Sequence, residues 1–78
     1  MNEYNKKRLK SALDMVSDLE EELVPCLADE KSVLSELTDA EEFSAAVIDG
    51  HERLLCLESC LDALRTIKNN IMHINAKM

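Results

Sequence analysis

Apolar residues recur at spacings of three and four along two long stretches of the chain. The first stripe runs from Leu9 to Leu37 and has a gap at Glu30. Its members are Leu9, Leu13, Val16, Leu19, Leu23, Leu27, Leu34 and Leu37. This spacing places apolar side chains on one face of an α-helix, so we predict a first helix over about residues 3–37.

The second stripe is longer, and it predicts a second helix over about residues 40–75. Its members are Phe43, Val47, Gly50, Leu54, Leu57, Leu61, Leu64, Ile67, Ile71 and Ile74. Intervals of three and four sustained over about four heptads are typical of coiled-coil-like packing. Ile48 and Leu55 flank this stripe and widen it towards the apolar face of a bundle helix.

The boundary between the two helices is expected in the segment "LTDAEEF". Its two matches to capping-box spacing are Thr38 with Glu41 and Asp39 with Glu42. We therefore predict a turn at residues 38–39 and a second helix that begins near Ala40.

Pro25 and Gly50 are the two positions where a helix could bend or break. Proline inside a helix costs about 3 kcal/mol unless the helix bends. Because Leu27 and Leu34 continue the stripe, we predict a kink or a short break near Val24.

The step from Asp49 to Gly50 leaves two alternatives open. Asp-Gly is a turn signal, and Asp49 with Glu52 matches a capping box, so the chain could form three helices. The apolar register nevertheless passes through Gly50 without a slip, which favours a continuous second helix. Without a side chain at Gly50, another helix can approach closely.

Length and composition predict an all-α fold for one domain over residues 1–78. One Gly, one Pro, one Phe, one Tyr and no Trp argue against a β-sandwich or a β-barrel. A lone helical hairpin would leave its wide stripes half exposed to water, because a chain of this size buries little surface. We therefore predict a homodimeric four-helix bundle, with larger rings or stacks as the alternative. The residues predicted at the oligomer interface are Val47, Gly50, Leu54, Leu57, Leu61, Leu64 and Ile71.

Charge is distributed unevenly along the chain, whose net charge is −7. Residues 1–13 and 65–78 carry seven basic groups and one acid, and residues 14–64 carry two basic groups and fifteen acids. If the chain folds back on itself, its ends form a basic tip on an acidic rod. The net charge disfavours binding of nucleic acid or membranes by the whole surface.

Several features predict a cytoplasmic protein without a membrane anchor. No stretch approaches 18 uninterrupted apolar residues, and the basic N-terminus lacks the apolar core of a signal peptide. Three cysteines without framework spacing suggest free thiols in a reducing compartment.

The segment "HERLLCLESCL" at 51–61 contains the residues that most resemble a chemical site. Cys56 and Cys60 are four residues apart, so they share a helix face, and Cys26 or a symmetry-related copy could add thiolates around a soft metal. The spacing is not that of a zinc knuckle, and His51 has no nucleophile motif around it. We interpret the cysteines as packing residues, because cysteine is often buried as a small hydrophobe. A redox role or an intersubunit disulfide is the remaining alternative, and we predict no catalytic residue, metal or cofactor.

The acidic residues are the main candidates for a binding surface. Glu30 lies close to the first stripe and predicts either a polar contact or a water-accessible position in the bundle, with Asp29 exposed beside it. A solvated face is the alternative for the other carboxylates. Those that we predict to bind a partner are Asp18, Glu20, Glu21, Glu22, Glu36, Asp39, Glu41 and Glu42.

The pattern resembles a loose group of short, uncharacterised helical-hairpin proteins of bacteriophages and mobile elements. The resemblance is carried by "NKKRLKSALDMVSDLEEEL", by the Asp29-Glu30 step and by "LESCLDALRTIKNNI" at 57–71. Pro25, Gly50 and the cysteines depart from the Glu- and Ala-rich pattern of that group. The resemblance implies a small accessory protein and supplies no catalytic residues.

We therefore expect a non-enzymatic protein that binds a host protein and modulates or inhibits it. A rod dense in carboxylates can imitate a nucleic-acid backbone and occupy a basic groove. One alternative is an oligomeric bundle that captures an anionic small molecule, such as a nucleotide, with Lys6, Lys7, Arg8 and Arg65. Another is a regulatory bundle that docks nucleic acid on its basic tip.

Overall fold

The chain forms two helices that pack as a hairpin. A computed structural model describes residues 1–40 and 45–77, with the side chains of residues 38–40 left aside. Helix α1 spans Glu3–Ala40 and helix α2 spans Ala45–Ala76. The predicted all-α hairpin is therefore confirmed. In the described part of the chain, neither helix has a segment that is both long enough and apolar enough to cross a membrane.

Helix α1 begins with a capped end and extends further than the sequence predicts. The Asn2 side chain caps it, since its Oδ1 accepts a hydrogen bond from the backbone N–H of Asn5 at 2.7 Å. The predicted turn at residues 38–39 lies inside α1, and Ala40, predicted to begin the second helix, is the last residue of the first. Each added residue of a helix gains a backbone hydrogen bond, and a local cap signal does not prevent that extension. Glu41 and Glu42, needed for the two capping boxes, lie outside the described residues.

Pro25 lies inside α1 without interrupting it. The molecule is 57 Å long, which is the length of about 38 helical residues at 1.5 Å each. The predicted short break near Val24 is absent, because α1 continues through this position from Glu3 to Ala40. Pro25 is exposed, on the side of α1 away from α2, where a helix can open slightly towards water.

The interface between the helices follows a heptad pattern of alternating a and d positions. Both helices place one residue in the interface every three or four positions, and each of these residues is buried or half-buried. In α1 they are Leu9, Leu13, Val16, Glu20, Leu23, Leu27, Glu30, Leu34 and Leu37. In α2 they are Val47, Gly50, Leu54, Leu57, Leu61, Leu64, Lys68 and Ile71. We call these residues the seam.

Two predicted members of the apolar stripes are wrong, because charged residues occupy their places in the seam. Leu19 is 52% exposed while Glu20 is half-buried, and Ile67 is 45% exposed while Lys68 is half-buried. A step of three residues from Val16 reaches Leu19 and a step of four reaches Glu20, and both satisfy the spacing rule. A preference for apolar residues alone therefore selects Leu19, which is the wrong one. A strict heptad must alternate the two steps, and this places Glu20 and Lys68 inward.

Three further apolar members of the second stripe do not face α1. Ile48 and Leu55 are 57% and 66% exposed, so they do not widen the interface within the hairpin. Ile74 is 38% exposed, since the heptad continues from Ile71 to position 75. Phe43 lies outside the described residues.

Gly50 is a point of close approach between the helices. Helix α2 passes through Asp49 and Gly50 without a break, and Gly50 has ordinary helical φ. The alternative of a helix that restarts at Gly50 is therefore wrong. A Cβ placed on Gly50 would lie 2.9 Å from Cδ1 of Leu34, so the missing side chain is what lets Leu34 pack onto this backbone. The prediction of close helix approach at Gly50 is confirmed.

The pairing of Leu34 with Gly50 sets the register of the hairpin. Residues at the same height on the two antiparallel helices have numbers that add to about 84, as these two do. One turn away, Nε of Arg53 donates to Oε2 of Glu30 at 3.1 Å. This confirms the predicted polar contact of Glu30, and Asp29 beside it is exposed as expected.

Candidate interaction surfaces

Helix α1 exposes a run of carboxylates on the side that faces away from α2. We call this run the acidic face; its members are Asp14, Asp18, Glu21, Glu22, Asp29 and Glu36, all exposed. Heptad spacing puts them on the three outward positions of α1, b, c and f. Within residues 1–40 and 45–77, the ion pairs use Glu3 and Glu30 instead, so no cation neutralises this face.

The eight carboxylates predicted to bind a partner do not lie on one surface. Asp18, Glu21, Glu22 and Glu36 lie on the acidic face, as the prediction requires. Glu20 instead points into the seam, where its Oε2 is buried and has no hydrogen-bond partner among the described atoms. The remaining three lie outside the described side chains; they are Asp39, Glu41 and Glu42.

All three cysteines are exposed free thiols, so they are not packing residues within the single hairpin. In the heptad, Cys26 and Cys60 occupy g positions beside the seam, and Cys56 occupies an outer c position. The i, i+4 spacing puts Cys56 and Cys60 on one helix face, but that face is not the one turned to α1. Cysteine's general preference for burial could not identify which face is buried.

The three thiols line one open groove that crosses both helices. The groove has a volume of about 720 Å³. It is lined by Cys26, Asp29, Glu30, Asp49, Glu52, Arg53, Cys56, Leu57 and Cys60. Within the described part of the chain, no set of three or more His, Cys, Asp or Glu side chains has the geometry to hold a metal ion. His51 occupies an e position, on the opposite flank of the hairpin from these thiols.

The thiol groove belongs to a longer surface that we call the apolar flank. In an antiparallel helix pair the g positions of both helices border the same side of the seam, and the e positions border the other. Six exposed g residues define the flank: Leu19, Cys26, Val33, Cys60, Ile67 and Ile74. The only charged residue at a described g position is Arg53, which is paired with Glu30.

The opposite flank, formed by the e positions, is strongly charged. Its charged members are Glu3, Lys10, Lys31, Glu58 and Arg65. Val24 and Met72 are exposed apolar members of the same flank, at 45% and 52%. The hairpin therefore has one side that is mainly apolar and one side on which charged and apolar residues are mixed. The apolar stripes predict that Leu19 and Ile67 lie in the seam. Strict alternation of the a and d positions instead places both residues on the apolar flank.

The predicted oligomer interface lies mostly inside the hairpin itself. Val47, Gly50, Leu61 and Ile71 are buried in the single chain, where they face α1. The other three, which are Leu54, Leu57 and Leu64, are half-buried in the same seam. A second copy could reach these residues only at the edges that α1 leaves uncovered.

Of the four cations predicted to hold an anionic ligand, Lys7 and Arg8 line one groove, and Lys6 and Arg65 do not. Lys6 forms an ion pair with Glu3 at 3.3 Å. The guanidinium of Arg8 lies 4.0 Å from the centre of the Tyr4 ring and donates to its hydroxyl at 2.6 Å. Arg65 stands at the height of residue 19, about 20 Å along the rod from Lys6.

Comparison with known proteins gives no relative. No protein-family model, no curated protein and no solved structure matches this chain.

Proposed function

We propose that this chain is a non-enzymatic interaction protein that works as a homodimeric four-helix bundle in the cytoplasm. Its acidic face binds a basic groove on a partner protein and so modulates or inhibits that partner. In this proposal the chain is an accessory factor of a phage or mobile element and the partner is a host protein.

The dimer is supported by how little of the hairpin is buried. Five hydrophobic residues form the core, and no side chain of the described residues is less than 2% exposed. The accessible surface is 5861 Å², whereas a compact monomer of this mass exposes about 4,800 Å². Chains of this length usually need a further source of stability, and association with a second copy would supply it.

The observation that carries the binding role is the acidic face itself. Six exposed carboxylates extend over about 33 Å of one helix, from Asp14 to Glu36, and no described cation pairs with them. Carboxylates held this close repel one another, so a basic partner would relieve repulsion that the free protein sustains. Complementary charge of this kind mainly raises association rates and selects the partner.

A paired charge reversal tests the binding role. We would replace Asp18→Lys and Glu21→Lys on the acidic face, and Glu58→Lys and Asp62→Lys on α2 as a control with the same change in net charge. All four residues are exposed, so both variants should keep the helicity of the wild type.

The assay has two steps, retention of partners from a lysate and titration of the purified partner. A partner that uses the acidic face should be released by heparin and should bind the Asp18/Glu21 variant at least about tenfold more weakly, since several charge contacts become repulsive. The Glu58/Asp62 variant should bind like the wild type. Equal loss of binding in both variants would show that net charge matters and the acidic face does not.

A further inference from the structure

We propose that the second copy packs on the apolar flank, with the two hairpins antiparallel, so that each basic tip lies over the acidic end of the other copy. This inference rests on the proposed dimer and adds the surface and the orientation. It follows from the composition of the two flanks, from the size of one side of the rod and from the order of charges along it.

The apolar flank is the side best suited to burial. Interfaces are depleted of charged residues at their centre and enriched in apolar ones. The apolar flank has a single charged residue among its described g positions, Arg53, and Glu30 already pairs with it. Packing on the e flank would instead have to desolvate Lys10, Glu58 and Arg65.

The area of one side of the rod matches what a specific dimer buries. The rod measures 57 Å by 15 Å by 15 Å, so one long side has a projected area of roughly 800 Å², the typical contribution of one partner to a stable interface. The exposed surface that exceeds that of a compact monomer is of the same order. A second copy on one flank is therefore sufficient to cover it.

Charge along the rod decides the orientation. Residues 1–21 and 63–78 form the half with the chain ends; they carry seven basic groups and five acids, for a net charge of +2. Residues 22–62 form the other half and carry two basic groups and eleven acids, for a net charge of −9. Parallel hairpins would put the two −9 halves side by side, within about one Debye length of each other. Antiparallel hairpins put each −9 half beside a +2 half.

The charges at the exposed c positions beside the apolar flank also favour the antiparallel orientation. In an antiparallel dimer α1 lies against α1, and a twofold axis at Glu22 brings Arg8 of one copy to Glu36 of the second copy. In α2 the same operation about Ala63 brings Asp49 to Lys77 of the second copy.

One twofold axis satisfies both of these attractive pairs. Glu22 and Ala63 have numbers that add to 85, close to the sum of 84 at equal height, so they stand at the same level. The only like-charge meeting is that of Glu22 with its own copy, at an exposed position on the axis.

The parallel arrangement reverses every one of these contacts. There α1 lies against α2 of the second copy at the same height, so Arg8 meets Lys77 at one end and Glu36 meets Asp49 at the other. Like charges at both ends oppose that arrangement.

The antiparallel arrangement has a consequence for the acidic face. Because α1 lies against α1, the outward carboxylates of both copies, with Asp14, Asp18 and Glu21 in each, face the same side of the bundle. The dimer then presents one continuous acidic surface about twice as wide as that of a single hairpin. Glu22 and Glu36 lie along the middle of this surface, between the two α1 helices, and the thiols of the groove become shielded from solvent.

Disulfide trapping between two single-cysteine proteins tests both the surface and the orientation. Both proteins carry Cys26→Ser, Cys56→Ser and Cys60→Ser. The Met15→Cys protein is mixed with the Asp29→Cys protein, because positions 15 and 29 stand opposite each other in the antiparallel dimer. The matched control mixes Met15→Cys with Asn70→Cys, which stand opposite each other in the parallel dimer. Oxidised glutathione accepts the two electrons and two protons of each new disulfide and is reduced to two molecules of glutathione. Products are identified by intact mass.

We expect the 15–29 disulfide to form at least about tenfold faster than the 15–70 disulfide, since a disulfide requires Cα atoms within about 7 Å. Sedimentation equilibrium of the same background separates the possible failures. A monomeric mass would overturn the proposed dimer itself. A dimeric mass with faster 15–70 trapping would overturn the orientation, and a dimeric mass with neither product would overturn the apolar flank.

A charge swap gives an independent check of the orientation. Arg8→Glu alone or Glu36→Arg alone should weaken the dimer about fivefold, because each change makes two symmetric contacts repulsive. The double variant should recover wild-type affinity. Failure of the double variant to recover, with both single variants weakened, would contradict the proposed contact between Arg8 and Glu36 of the second copy.

Discussion

Replacing Glu20 with leucine should stabilise the hairpin by about 2 kcal/mol. Glu20 occupies a seam position, and its Oε2 is buried without a hydrogen-bond partner among the residues that the structure describes. An unsatisfied buried polar atom costs about 1–3 kcal/mol, and a leucine buried to half its extent gains about 1 kcal/mol. Because the side chain is only half-buried, we take the lower part of the combined range. The midpoint of thermal unfolding should rise by roughly 10 °C.

The assay is urea unfolding followed by circular dichroism at one fixed protein concentration, since association makes apparent stability depend on concentration. Glu21→Leu is the matched control: it removes the same charge and adds the same side chain at an exposed position of the same helix turn. That control should change the free energy of unfolding by less than about 0.5 kcal/mol.

If Glu20→Leu were no more stable than Glu21→Leu, the placement of Glu20 in the seam would be wrong. Glu20 would then lie outside the seam, and Leu19 would be the residue that faces α2. In that case Leu19→Ala should cost about 2–5 kcal/mol, as truncation of a buried leucine does. Because Leu19 is 52% exposed in the hairpin, we instead expect Leu19→Ala to have little effect on the fold and to weaken the proposed dimer.

Three further substitutions test other parts of the hairpin by the same urea titration. Pro25→Ala should raise the free energy of unfolding by about 2–3 kcal/mol, because a continuous helix regains a backbone hydrogen bond there; no gain would mean that α1 is broken at this point. Gly50→Leu should lower the free energy of unfolding by about 1–2 kcal/mol despite its better helix propensity, because the space is filled by Leu34; a more stable variant would contradict the close approach. Arg53→Ala should destabilise by less than about 1 kcal/mol, since its pair with Glu30 is largely solvent-exposed, and a larger loss would show a more buried contact than the structure has.

The hairpin could be predicted from the sequence because its main determinants are periodic and local. Apolar spacing locates both helices, and the unshifted register through Gly50 correctly indicates one continuous second helix. The polar contact of Glu30 also follows from its position in the stripe. The end of α1 could not be predicted, because two plausible capping boxes compete with simple extension of the helix.

Apolar residues alone do not predict which side of each helix faces the other. Leu19 and Ile67 are apolar, whereas their neighbours Glu20 and Lys68 are charged, so a rule that maximises apolar burial selects the wrong pair. Alternation of three- and four-residue steps over the whole helix outweighs the preference of one residue, because a helix cannot rotate locally to hide one side chain. Applying that alternation strictly to the sequence would have placed all four residues correctly.

The candidate surfaces were predictable in part. Asp18, Glu21 and Glu22 lie on an outward face, as an acidic run in an amphipathic helix indicates. The sequence suggests Cys26 as one possible neighbour of Cys56 and Cys60, but it does not predict the groove that they line across the g and c positions. Contacts between helices depend on register, and the register is set by the packing of the whole seam.

Sedimentation equilibrium of the wild-type protein, from micromolar to several hundred micromolar, shows whether the hairpin dimerises. The account predicts a mass of twice the 8.8 kDa of one chain, and a monomer after Leu19→Lys and Ile67→Lys on the apolar flank, with helicity retained. Lys10→Leu and Glu58→Leu on the opposite flank should leave the dimer intact. A wild-type mass of 8.8 kDa over the whole range would contradict the claim that this hairpin is half of a four-helix bundle.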